Sequence, residues 1–159
     1  MKKVFERILV PLDGSDHSLH ALKNAIQIAE SCNAKITLIN VYSFTQPVVP
    51  TPVTVVGGSA VMVEPISFEV NSKMVELHRE VGTKILANGK ERVQAKGIQV
   101  ETLLKEGHTV EEILKTANEG KYDLIVIGAR GLSAIKEILL GSVSHGVVIH
   151  ARCPVLVVK

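Results

Sequence analysis

Residues 124–158 read LIVIGARGLSAIKEILLGSVSHGVVIHARCPVLVV. The opening LIVI has no polar alternation, which is how a strand buried on both faces reads, and such strands belong to parallel sheets. Gly128 and Gly131 break the run; nine residues later Gly141 and Ser142 open SVSHGVVIHA, a helix, before PVLVVK closes the stretch as a second apolar strand. Two buried strands joined through a helix make a βαβ unit with a right-handed crossover. The glycines need a reason of their own, because bare backbone directly beyond a buried strand costs conformational entropy.

The same alternation runs outward to the N-terminus. RILVPL is a short apolar run closed by DGSD, a strand ending in a loop. Ser15 is placed to cap the helix that follows, Asp16 to sit in its first turn, and Leu22, Ala25, Ile26 and Ala29 fall at helical spacing. AKITLINVY is a second buried strand. From Phe68 to Lys96 apolar residues recur at Val70, Met74, Leu77, Val81 and Ile85, which predicts a long amphipathic helix weakened by Gly82 and Gly89. IQVETLL alternates more than the other strands and suits a sheet edge. Thr109 and Glu112 have capping-box spacing ahead of a helix through Ile113, Leu114 and Ala117, and YDLIVIG is the fourth strand. Strand and helix in turn predict an α/β fold: a doubly wound, Rossmann-like parallel sheet with helices on both faces.

Composition narrows the function classes. At 159 residues the chain fits one domain, 1–159, whose core is aliphatic, since Trp is absent and aromatics make up 3%. A net charge of +2 with both signs interspersed argues against a nucleic-acid surface. Cys32 and Cys153 lack the spacing of a metal site or redox pair and read as buried thiols of an intracellular, cytoplasmic protein. Glu6 and Arg7 interrupt the first apolar run before a signal-peptide core forms, and no later stretch is suited to span a membrane.

In doubly wound sheets ligands bind beyond the carboxyl ends of the strands, where strand order reverses. The loop after LIVIG is one such place. Gly128 and Gly131 can reach positive φ and admit an anion close to the main chain, and Gly141-Ser142 opens a helix whose first N–H groups favour phosphate. Ser142 and Ser144 offer hydroxyls, and Arg130 a planar cation. The residues alone leave a plain turn and a solvated arginine equally open. No Gly-Lys-Ser/Thr is present, and no G-x-G-x-x-G follows the first strand, so a nucleotide site here is of another kind.

Gly128, two residues, Gly131, nine residues, then Gly141-Ser142 resembles the nucleotide-binding signature of the universal stress protein family, in its ATP-binding branch. ILVPLDGSDHSLHALKNAIQIAE, AKITLINVY, LLGSVSHGVV and CPVLVVK are similar to family segments in the same order, so nearly the whole chain is covered. The resemblance implies a five-stranded sheet ordered 3-2-1-4-5 and a homodimer paired through the C-terminal edge strand. It implies ATP between strands one and four, with magnesium or manganese bound through the phosphates. It places Asp13, beside Pro11 and Leu12, at the ribose or metal side, and Val41 near adenine with its main chain reading the base edge. Gly128, Arg130, Gly131, Gly141, Ser142 and Ser144, with Val143 between the serines, would surround the phosphates.

The remaining polar residues do not build an enzyme. His17, His20, His78, His108, His145 and His150 are scattered, and only His145 falls near the proposed phosphates. Nothing plainly orients a water for hydrolysis. The expected function is therefore an ATP-binding stress-response or regulatory protein acting as a nucleotide-dependent dimeric switch on an unknown protein partner. A slow ATP-hydrolysing or phosphotransfer enzyme, and an interaction module without nucleotide, are the alternatives. The segment 45–65 is long for a connection and uncharged until Glu64; it reads as an apolar hairpin turning at Gly57-Gly58 or as a loop broken by Pro47, Pro50 and Pro52.

Overall fold

Strand parity sorts the core into two layers. Along β1 (Arg7–Pro11) and β4 (Leu124–Gly128), Ile8, Val10, Leu124 and Val126 face one side, while Leu9, Ile125 and Ile127 face the other. All seven are buried, as strands covered on both faces must be. β2 (Lys35–Tyr42) follows the same rule: Ile36 and Leu38 join the first layer, Thr37, Ile39 and Val41 the second. The first layer is closed by α1 (Asp16–Cys32) and α2 (Phe68–Gln94), the second by α3 (Thr109–Glu119) and α4 (Ser142–His150).

The computed structural model describes residues 4–43, 68–132 and 140–159, so the segment 45–65, read as hairpin or loop, lies outside the described residues. With β3 (Val100–Glu106) and β5 (Val155–Val158) the strands form one sheet in the order β3-β2-β1-β4-β5, every pair parallel. The expected order is met, and β3, the most alternating strand, is at an edge. No helix among the described residues is long and apolar enough to cross a membrane.

Helix ends follow local chemistry, once against expectation. Ser15 caps α1: its Oγ accepts the Ser18 N–H at 3.2 Å, and Asp16 lies in the first turn. The capping box proposed for Thr109 and Glu112 does not form. His108 is the N-cap of α3, without a side-chain cap bond, and the Glu112 N–H goes to the His108 carbonyl at 2.9 Å. Thr109 is already inside the helix and points elsewhere.

α2 also turns inward only part of the face its apolar spacing suggests: Ile85 packs against the first layer. Met74, Leu77 and Val81 are 48%, 52% and 46% exposed, whereas Gly82, Leu86, Gly89 and Val93 are buried. The two glycines do more than weaken the helix. A Cβ on Gly89 would stand 2.7 Å from Leu12 Cδ1, and one on Gly82 would collide with Asn40 Oδ1 and come 2.7 Å from Leu104 Cδ1. Their lack of a side chain lets the helix lie close against the sheet.

Candidate functional site

Strand order reverses between β1 and β4, and a cleft of about 90 Å³ opens there at the strands' carboxyl ends. Pro11 lines it from the end of β1 and Leu12 and Asp13 from the loop beyond, Val41 from β2, Gly128 from the end of β4, and Arg130 and Gly131 from the loop that follows. Val143 and Ser144 complete that set from the first turn of α4. Gly141 and Ser142 do not line the wall: Gly141 is the N-cap of α4 and Ser142, its first residue, is exposed. Sequence reading missed Ser18, Ile39, Thr109, Ile113 and Ile127, which come from four different elements. Ile39, Ile113 and Ile127 join Val41 and Val143 as an aliphatic side, which only strand and helix parity could have foreshadowed.

The polar side is held by a hydrogen-bonded staple. Asp13 Oδ1 accepts the Ser15 N–H at 2.9 Å and the Ser15 hydroxyl at 2.5 Å, while Asp13 Oδ2 accepts the Leu132 N–H at 3.2 Å. The loop after β1 is thereby tied to the loop after β4, and the Ser15 hydroxyl also approaches the Arg130 carbonyl at 3.4 Å. A second tie closes the neck of the β4–α4 loop. The Ala129 carbonyl accepts the Gly141 N–H at 2.7 Å and the Ser144 hydroxyl at 2.7 Å. Ser144 thus spends its proton inside the protein. The N–H groups of the α4 first turn, which a helix cannot bond internally, follow directly behind this neck.

Gly128 and Gly131 serve close approach, and none of the three glycines serves positive φ. Positive φ among the described glycines falls at Gly14, Gly97 and Gly107, and Gly141 has φ −70°. A Cβ on Gly128 would come within 2.6 Å of the His17 carbonyl carbon, and one on Gly131 within 2.6 Å of Asp13 Oδ2. Gly141 is freer, its nearest neighbours standing at 3.4 Å.

No group of three or more His, Cys, Asp and Glu able to hold a metal occurs among the described residues. Among the described residues Asp13 is the one carboxylate on the cleft wall, and it is already engaged by Ser15 and Leu132. His145 is exposed on α4 and away from the wall. Burial pushes the Cys153 thiol up from its ordinary range, as expected of an inert cysteine.

The model of the universal stress protein family matches residues 5–159. The chain belongs to the universal stress protein family. A universal stress protein, YxiE of Bacillus subtilis, is 38% identical over 156 residues, covering 98% of this chain and 100% of that protein. Universal stress protein UspA from Lactobacillus plantarum, at 24% identity and a TM-score of 0.80 over 98% of each chain, shares the fold. A universal stress protein solved in complex with cAMP is 29% identical with a TM-score of 0.63, covering 98% of this chain and 97% of that one. This universal stress protein shares with that relative the sheet at whose order reversal the cleft lies.

Proposed function

We propose that the cleft binds an adenine nucleotide, ATP in particular, and that occupancy switches a homodimer between states read by a partner protein. The observation that carries the reading is the mixed lining of the cleft: aliphatic side chains suited to a base share it with glycine-lined main chain, Arg130 and the start of α4, which suit phosphates. The cAMP complex of a relative at 29% identity supports adenine as the base. Arg130 and the α4 N–H groups would hold the phosphates, Val41 would lie along the base, and Mg or Mn would be bound through phosphate oxygens. Calorimetric titration tests this directly. ATP should bind at least about tenfold tighter than GTP, since exchanging the exocyclic amine for a carbonyl leaves a main-chain partner unmatched. Equal affinities, or no heat with either, would sink the reading.

The dimer is proposed at β5, an edge strand without charge between Arg152 and Lys159. Register supports a sharp test. Pro154 and Val158 carbonyls accept N–H groups from β4, so even-numbered residues turn their main chain inward, and Val155 and Val157 turn theirs out to the open edge. Val157→Pro should therefore yield monomer in sedimentation runs with ATP binding retained, while Leu156→Pro breaks a rung to β4 and lowers stability. A Val157→Pro variant that stays dimeric moves the interface elsewhere.

A further inference from the structure

The β1–β2 ladder ends irregularly beside the cleft. On β2 the Ile36 N–H goes to the Gln99 carbonyl, on the β3 side, at 3.0 Å, whereas the Ile39 carbonyl takes the Leu12 N–H, on the β1 side, at 2.9 Å. Odd-numbered residues therefore turn their main chain toward β1, and Val41 is the next of them. In a regular parallel ladder its N–H would be donated to the Leu12 carbonyl. That carbonyl is met instead by the Asn40 side-chain amide at 2.7 Å, in a buried position. Among the described residues no main-chain bond joins Val41 to Leu12.

Asn40 is held in this role from both sides. A carbonyl oxygen can only accept, so the group facing Leu12 must be the amide nitrogen. The amide oxygen lies against Gly82 of α2, where even a methyl group would collide with it. Leu12 is fixed in turn: its N–H is bonded to Ile39, and its side chain is buried against Leu38 and Gly89.

We infer that Asn40 is a positioning residue for the cleft: its amide caps the Leu12 carbonyl, stops the ladder one rung early, and leaves the Val41 N–H and C=O turned to the cleft as an adjacent donor and acceptor. Such a pair matches the edge of a heteroaromatic ring carrying a ring nitrogen beside an amino group. The identity of that ring rests on the nucleotide reading above; the broken ladder does not.

Two measurements separate these layers. In ligand-free protein, NMR-detected hydrogen exchange should show the Val41 amide at least about tenfold less protected than Ile39. Asn40→Ala, which frees the Leu12 carbonyl to take Val41, should narrow that gap. In titrations, Asn40→Ala and Asn40→Asp, which keeps the shape without the donor, should each lose about tenfold or more in ATP affinity while tripolyphosphate affinity changes less than about twofold. A Val41 amide as protected as Ile39 in the unaltered protein overturns the proposal, whatever the variants do. Equal loss of ATP and tripolyphosphate also overturns it, since that is what a merely structural role would give. An unaltered protein that binds neither ligand removes the nucleotide reading, and the exchange data still decide whether Asn40 ends the ladder.

Discussion

Gly128→Val is expected to cost stability before it costs any binding. The new Cβ would stand 2.6 Å from the His17 carbonyl carbon and 2.8 Å from both the His17 oxygen and the Ser18 nitrogen. These are main-chain atoms of the first turn of α1, so no rotamer change relieves the contact, and β4 must part from the helix that covers it. Overpacking of this kind costs about 3 kcal/mol or more, and for a chain of this size that lowers Tm by roughly 6–12 °C. Thermal unfolding followed by circular dichroism checks it. A variant melting within about 2 °C of the unaltered protein would mean that α1 can move away freely.

Gly131→Val should do the reverse. Gly131 is exposed and its added Cβ meets only the end of the Asp13 side chain, so its replacement should cost no more than about 1 kcal/mol, the worth of one displaced hydrogen bond. The added side chain would press on Asp13 Oδ2 and occupy the approach to the loop's main chain, where a phosphate would have to lie within hydrogen-bonding distance. ATP affinity should fall on the order of a hundredfold, about 2.7 kcal/mol. Gly141→Val should be milder, because a Cβ there meets only atoms at 3.4 Å or beyond. Calorimetry on folded Gly131→Val with unchanged ATP affinity would remove this loop from the site.

The contrast between the two glycines marks how far sequence reading reaches. Buried parallel strands announce themselves as unbroken Val, Ile and Leu, so RILVPL, AKITLINVY and YDLIVIG were legible, while the order that puts the reversal between the first and fourth strands came from the family resemblance. Glycine has no side chain to pattern. Spacing alone could not tell that Gly128 faces α1 and Gly131 faces Asp13, nor that Gly82 and Gly89 mark the buried face of α2 in place of Met74, Leu77 and Val81. The cap at Thr109 was misread for a related reason: the spacing of Thr109 and Glu112 does not fix where the helix begins, and the chain enters α3 one residue earlier, at His108, after Gly107 at φ 146°. Thr109, Ile113 and Ile127 meet on the cleft wall only once the helices are docked, which no local pattern encodes.

The carboxylate staple between the loops would make capture of an anionic ligand an exchange. In the ligand-free protein the Leu132 N–H already has an anionic partner, Asp13. On the nucleotide reading proposed above, a phosphate seated on the same main chain would evict it, so that only the surplus of one anion over the other would be visible as affinity, with the resident carboxylate as an internal competitor. Eviction would also leave the loop after β1 joined to the loop after β4 only through the longer Ser15–Arg130 contact, so arrival of ligand at one rim of the cleft would be felt at the other.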